Sequence, residues 1–320
     1  MTIVVDRTDQ GLDQSPPAGS RRRRASRRQR RETAVGWAFM LPDAIGLLIF
    51  VVAPILVALG AAFFSIDGFG QAEFVGRDNF IRMGSDPLLV KSLTVTAIYA
   101  GCYVPIVFIV GLALALLVEK PFPGIGVVRT LFFLPNVMSL VVIAILWQFM
   151  LTDKTGFVPR GLSRVGLGDI SWLGNPAFAL TAIIFISVWF QAGYQMLLFL
   201  GGLGDIPNEY HDAAKLDGAG WWQRLFSITL PLLKPTSFFV VLTSIIGAVT
   251  GMQAFDLVFV LTKGGPANST MTMPFYIYQQ AFVYNDYGYA AALTTVLVGV
   301  LVVAVGLTFV VTKGARFHAE

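Results

Sequence analysis

Six apolar segments, each long enough to cross a lipid bilayer as a helix, run through this sequence of 320 residues. A transmembrane helix needs about 20 predominantly apolar residues. The predicted spans are residues 35–64, 92–118, 127–151, 178–203, 236–262 and 288–311. Charged residues make up 13% of the chain, roughly half of their share in a soluble domain. The sequence therefore predicts an all-α membrane protein with six transmembrane helices.

The basic residues are concentrated at one end of the chain. Eight arginines fall between Arg21 and Arg31, directly before the first predicted span. Residues 1–32 are predicted to form a disordered cytoplasmic tail, and residues 33–320 a six-helix domain. With this arrangement 16 of the 23 Lys and Arg residues lie inside, which predicts that both termini are cytoplasmic. A basic stretch beside a span also favours contact with membrane lipid over nucleic acid.

Residues for catalysis or metal binding are sparse. Cys102 is the one cysteine, and His211 and His318 are far apart, so neither a disulfide framework nor a metal cluster is expected. The phosphate-binding sequence GxxxxGK followed by Ser or Thr does not occur. No Ser/His/Asp set and no HExxH motif can be assembled. We predict a non-catalytic chain that binds no metal or cofactor itself.

Residues 205–235 form a long polar interruption within the run of apolar segments. Pro207 suits the first turn of a helix, and Gly218 and Gly220 break it, so a short amphipathic helix is predicted between them. A second helix is expected to start near Trp221. The small residues of the first helix let a partner surface approach closely, and the alternative is an ordinary cytoplasmic loop that is fixed by its own helix caps. The predicted contacts to that partner are Glu209, Asp212, Ala213, Ala214, Asp217, Gly218 and Ala219.

Two sequence patterns resemble a known family. The series Asp212–Ala214, Asp217–Ala219 and Ile228–Pro231 resembles the coupling motif of the permease subunits of bacterial ABC importers, which has Glu where Asp212 stands. The stretch 255–266, which ends in Thr-Lys-Gly-Gly-Pro, is similar to the carbohydrate-uptake permeases of the maltose and glycerol-3-phosphate type.

This resemblance implies a multi-pass protein of the bacterial cytoplasmic membrane with several partners. It implies a second permease, usually a different chain, and two cytoplasmic P-loop ATPase subunits that bind ATP and magnesium. It also implies an extracytoplasmic substrate-binding protein. The predicted helix in 205–235, between the fourth and fifth spans, would then be the cytoplasmic coupling helix through which the ATPases act.

Polar residues inside the fourth and fifth spans are candidates for the substrate path, because polar groups at membrane depth are costly unless they face the bundle interior. Ser187, Gln191 and Tyr194 share one helical face, and so do Thr250 and Gln253. The resemblance implies that these two helices line the substrate cavity. The alternative is that the same groups bond between helices and stabilise packing. Asp256 is expected to cap or pair near the outer end of its helix.

The cargo and two other functions stay open from the sequence. A sugar or oligosaccharide is the first prediction, and glycerol-3-phosphate or a glycerophosphodiester is the alternative. A secondary transporter is disfavoured, because no Lys or Arg lies deep in a span and no clear internal repeat is visible. A scaffold subunit that binds another cytoplasmic protein at 205–235 would be separated from an importer by co-purification of a P-loop ATPase.

Overall fold

The computed structural model describes residues 27–68, 70–164 and 170–311, and these are almost entirely helical. Two units are distinguished along the chain, one ending at Ile55 and the other beginning at Leu56. The elements are α1 (Arg27–Leu47), α2 (Ala53–Ala61), β1 (Phe64–Ile66), β2 (Ala72–Phe74), α3 (Asp78–Met83), α4 (Pro87–Val118), α5 (Ile125–Val137), α6 (Leu140–Leu151), α7 (Phe157–Arg164), α8 (Pro176–Gly204), α9 (Asn208–Leu216), α10 (Trp221–Arg224), α11 (Leu230–Leu232), α12 (Lys234–Thr250), α13 (Ala254–Leu257), α14 (Met273–Tyr278) and α15 (Tyr287–Val311). Four π-helical turns, at Leu48–Val52, Leu225–Thr229, Val258–Thr262 and Gln279–Val283, continue neighbouring helices.

The first unit contains α1 and the π-helical turn after it. α1 begins at Arg27, within the segment for which disorder is predicted, and residues 1–26 of that segment lie outside the described residues. The apolar stretch that starts in this unit, Val35–Ala61, is 27 residues long. It matches the first predicted span, 35–64.

Within the described residues, five helical stretches are long and apolar enough to cross a membrane, and one bent helix pair makes a sixth if it counts as one span. The five are Val35–Ala61, Pro87–Val118, Pro176–Gly204, Lys234–Thr262 and Tyr287–Val310, and the pair is α5 with α6. These ranges overlap all six apolar segments that the sequence predicts as spans.

The third predicted span is not one straight helix, because α5 and α6 meet at an angle of 94°. Met138 and Ser139, between them, have extended backbone conformations. Pro135 lacks the N–H that would bond to the preceding turn, and Ser139 has the extended conformation that a residue before a helix adopts. The chain therefore ends one helix and begins another in the middle of an apolar segment.

The fifth predicted span is also interrupted. α12 ends at Thr250, and Gly251 follows with φ +75°, a left-handed conformation that glycine adopts without steric cost. α13 begins at Ala254, and the π-helical turn after it extends this second part to Thr262. Residues 251–253 thus separate two helical parts of one apolar stretch.

The second unit is built around α4 and α8, with α5 and α12 packed against them. Two glycines permit close approaches at these crossings. A Cβ atom on Gly111 of α4 would lie 2.6 Å from the Cβ atom of Gln195 on α8. A Cβ atom on Gly193 of α8 would lie 2.1 Å from the carbonyl oxygen of Phe132 on α5. Small residues at such crossings let helix backbones pack closely in membrane proteins.

Two segments predicted as polar loops carry short elements. The loop at 65–91 includes β2 and α3, and β2 pairs antiparallel with β1 so that Phe64 lies opposite Phe74. Asn79 of α3 is buried and donates hydrogen bonds to the carbonyl oxygens of Ala62 and Phe64 at 2.9 and 3.0 Å. The loop at 152–177 contains α7.

Candidate functional site

The polar segment after α8 folds as the sequence predicts locally. α9 begins directly after Pro207 and ends at Leu216. The chain then changes direction at Gly218, which has φ +79°. The amide of Ala219 donates to the carbonyl of Ala214 at 2.9 Å, which closes the end of the helix. α10 then begins at Trp221.

The residues predicted to contact a partner all lie on α9 and the turn after it. Their side chains are mostly accessible, and only Ala214 is buried. The ammonium group of Lys215 donates to the carboxylate of Asp212 at 2.7 Å. This hydrogen bond and the charge of Lys215 lower the pKa of Asp212. Since both side chains are exposed, the pair is open to exchange with charges on a second protein.

The inner side of this segment faces the end of α4. A cavity of about 290 Å³ lies between α9, α10 and the turn at Glu119–Pro121. Arg224 donates to the carbonyl oxygen of Ala219 at 2.8 Å, which joins α10 to the turn after α9. Arg129 donates to the carbonyl oxygen of Val118 at 2.7 Å and so fixes the end of α4. The predicted contact helix is therefore linked to α10 through one backbone carbonyl, while Arg129 separately joins α5 to the end of α4.

A second site is a cavity of about 410 Å³ inside the second unit, referred to below as the polar cavity. It is lined by Tyr103, Asn136, Leu140, Phe190, Gln191, Tyr194, Gln195, Thr243, Ser244, Gly247, Met252, Gln253 and Asp256. Amides, hydroxyls, aromatic rings and one carboxylate therefore surround it. A larger cavity of about 600 Å³ beside α4, α5 and α8 is almost wholly apolar and offers little to a polar solute.

Both helix breaks contribute to the polar cavity. Asn136 lies just before the bend between α5 and α6, and Met252 and Gln253 lie in the break after α12. Irregular backbone at membrane depth is tolerated where it is buried in protein or lines a polar cavity. The two interruptions therefore place polar side chains around a common space.

Hydrogen bonds hold some of the cavity amides, while others keep free acceptors. Asn136 donates to Gln191 at 2.9 Å, and Gln195 donates to Ser244 at 3.1 Å. The Oε1 atoms of Gln195 and Gln253 are buried and accept no hydrogen bond. Buried polar atoms normally have partners, but these two acceptors have almost no surface that a solute in the cavity could touch.

The predicted substrate-path residues divide into two groups. Gln191, Tyr194 and Gln253 line the polar cavity together. Ser187 is fully buried and donates to the carbonyl oxygen of Ile183 at 2.8 Å, and it is not part of the lining. Thr250 is exposed, donates to the carbonyl oxygen of Ile246, and is not part of the lining either.

Asp256 is among the polar candidates of the fifth span, although a cap or an ion pair is the favoured expectation for it from the sequence. Within the described residues it caps no helix and forms no ion pair, contrary to the expectation, and it lines the cavity instead. Its spacing of three from Gln253 is the signal that could have identified it, because residues three apart share a helical face.

The sequence of the chain matches a family of known proteins. The family model described as "Binding-protein-dependent transport system inner membrane component" matches residues 107–315. The lactose transport system permease protein LacF of Rhizobium radiobacter is 37% identical over 287 residues, covering 88% of this chain and 94% of the relative. The sn-glycerol-3-phosphate transport system permease protein UgpA of Yersinia pestis is 32% identical over 277 residues, covering 86% and 91%.

A solved structure shows the same fold. It is the crystal structure of a bacterial ABC transporter involved in the import of the acidic polysaccharide alginate. One of its chains superposes with a TM-score of 0.78 at 24% sequence identity, covering 90% of this chain and 97% of that chain.

Proposed function

Since the chain belongs to the family of binding-protein-dependent transport system inner membrane components, the permease subunits of ABC importers, we propose that it carries a carbohydrate across the bacterial cytoplasmic membrane. In this role it is a non-catalytic, multi-pass subunit, and ATP hydrolysis takes place on its partners. The cargo is a sugar or oligosaccharide.

The observation that supports a carbohydrate cargo is the polar cavity. Sugars present many hydroxyl groups and one apolar ring face, so a sugar site needs amides and hydroxyls beside an aromatic ring. Gln191, Gln195 and Gln253 supply amides, Ser244 supplies a hydroxyl, and Tyr194 supplies a ring. The cavity volume of about 410 Å³ is in the range of small-molecule sites.

The proposed coupling route runs through α9. With both termini in the cytoplasm, α9 and the turn at Gly218 lie on the cytoplasmic side, where ATPase subunits bind. Closure of an ATPase dimer would move α9, and the contact of Arg224 with the carbonyl oxygen of Ala219 would carry that motion to α10. A packed element that transmits rigid-body motion is a known type of switch.

The partners follow from the family. A binding protein delivers the cargo, as the family description states. We propose in addition a second permease, a different chain, and two P-loop ATPases that hold ATP and magnesium. A glycerol-3-phosphate importer is the second candidate, because the relative UgpA carries that name.

Isolation of the assembled transporter tests this proposal. The tagged chain is purified from membranes of its own cells, and the co-purified subunits are identified by mass spectrometry. The complex is then reconstituted in liposomes with its binding protein, and uptake of labelled lactose, trehalose, maltose and glycerol-3-phosphate is compared with and without ATP. A complex without a P-loop ATPase, or uptake driven by an ion gradient in the absence of ATP, would contradict the proposal.

A further inference from the structure

The carboxylate of Asp256 lines the polar cavity without a partner among the described residues. Asp256 is half-buried and belongs to the cavity lining. Among the residues that the structure describes, no side chain or amide gives it a hydrogen bond, and neither ion pair includes it. A charge inside a membrane bundle that no protein group compensates indicates a role in transport rather than in packing.

The rest of the lining does not compensate this negative charge. Among the described residues that line the cavity there is no Lys, Arg or His, and Asp256 is the one carboxylic acid. The other polar groups of the lining are neutral amides and hydroxyls. The negative charge of Asp256 therefore has no positive counterpart in this lining.

This balance favours some solutes over others. A hydroxyl or ammonium group can donate to the carboxylate of Asp256. A carboxylate, sulfate or phosphate group cannot donate, and its charge is repelled by Asp256 at close range, more strongly than in bulk water because the site is partly desolvated. An amide side chain can rotate to present either its oxygen or its NH₂ group to a solute, whereas an ionised carboxylate only accepts hydrogen bonds. Asp256 therefore determines that the cavity favours solutes with donor groups.

We propose that Asp256 is a specificity-determining residue, which makes the cavity admit sugars that bring hydroxyl or ammonium donors and reject sugars that carry an acidic group. The inference rests on the proposed transport function and narrows its substrate class. Glycerol-3-phosphate and sugar acids fall in the rejected class. Neutral sugars and amino sugars fall in the admitted class.

Binding of three matched disaccharides to the assembled transporter in lipid nanodiscs tests the proposal. The probes are lactose, its amino analogue lactosamine and its carboxylate analogue lactobionate, and binding is measured by saturation-transfer NMR without the binding protein, so that only the membrane subunits select. For the native chain, we expect lactobionate to bind at least about tenfold more weakly than lactose, and lactosamine at least as tightly as lactose.

Two variants make the test specific. Asp256→Asn keeps the shape of the side chain and removes its charge, and it should bring lactobionate to within about threefold of lactose while weakening lactosamine. Glu73→Gln removes a charge from the exposed strand β2, outside the cavity, and should leave the ranking unchanged.

The outcomes separate this inference from the proposed function. Lactobionate binding as tightly as lactose in the native chain, or an unchanged ranking in Asp256→Asn, would overturn the role of Asp256. The absence of binding by all three probes would overturn it as well. In each case ATP-driven uptake by the same complex in liposomes with its binding protein would leave the importer function standing, whereas a complex without ATP-driven uptake of any sugar would remove both.

Discussion

The carboxylate of Asp86 accepts a hydrogen bond of 2.5 Å from the hydroxyl group of Tyr289, which lies 203 positions further along the chain. The hydroxyl of Tyr276 donates to the same oxygen at 2.5 Å. The other oxygen of Asp86 accepts from the amides of Leu88 and Leu89 at the first turn of α4. One carboxylate thus connects the start of α4 with α14 and α15. Arg82 pairs with Asp286 at 2.6 Å beside this cluster.

Replacing Asp86 with Asn should lower the melting temperature and flatten its dependence on acid pH. Burial opposes ionisation of Asp86, but hydrogen bonds from Tyr276 and Tyr289 and from two amides outweigh it and lower the pKa of this carboxyl. A group with a lowered pKa stabilises the fold above its ordinary value of about 3.9, and this contribution is lost as the pH falls through the lowered value. Circular dichroism melts of the two proteins in detergent between about pH 7 and pH 3 measure the difference.

The same measurement on Glu73→Gln provides the control for Asp86→Asn, because Glu73 is exposed on β2. If Asp86→Asn melts at the native temperature and follows the native pH profile, the link between α4 and α15 does not depend on the charge.

Gly193→Ala should destabilise the protein by about 1–3 kcal/mol, the usual cost of overpacking a close contact. The added Cβ would lie 2.1 Å from the carbonyl oxygen of Phe132, and a backbone atom cannot move aside as a flexible side chain can. Gly201→Ala on the same helix is the matched control, because nothing lies within 4 Å of its Cβ position. This control should be neutral or gain up to about 1 kcal/mol from the better helix propensity of alanine. Thermal melts that show equal effects for the two variants would contradict the close crossing of α5 and α8.

The apolar segments and the helix at α9 could be predicted from the sequence, because each depends on local composition. The cavity lining could be predicted only in part. Thr250 and Gln253 share a face in a continuous helix, but the left-handed turn at Gly251 ends that periodicity. Gln253 and Asp256 both follow Gly251, so their spacing of three still places them on one side of the chain. Both line the cavity.

Helical periodicity predicts which residues share one side of a helix, but it does not predict how far along that side a cavity extends. Ser187 shares a face with Gln191 and Tyr194, yet it is fully buried outside the lining. The bend between α5 and α6 was equally hidden, because Pro135 predicts a bend but not its size, and the chain turns by 94° there. Both features depend on contacts between helices that are far apart in sequence.

Gln191→Ala should lower kcat/KM for uptake of the cargo by about tenfold, the effect of losing one buried hydrogen bond and leaving its partner unpaired. Gln191 lines the polar cavity and accepts from Asn136 at 2.9 Å, so its removal changes both the solute contact and the position of Asn136. Thr250→Val is the control, because Thr250 is exposed and bonds only within its own helix. Uptake into liposomes by both variants checks the prediction, and a larger loss for Thr250→Val would mean that the path runs elsewhere.

Gly218→Val should uncouple ATP hydrolysis from transport while the complex still assembles. Gly218 has φ +79°, where a β-branched residue is strongly disfavoured, so the turn after α9 must change its shape. The accessible residues of α9 would then meet the ATPase at a different angle, and hydrolysis would continue without moving α10. Asp212→Lys should uncouple in the same way, because it reverses the charge that Lys215 now neutralises.

Gly220→Val is the matched control for Gly218→Val, since Gly220 has φ −67° and nothing lies within 4 Å of its Cβ position. The measurement is the ratio of sugar transported to ATP hydrolysed in liposomes. A native ratio in both Gly218→Val and Asp212→Lys would contradict the proposed role of α9.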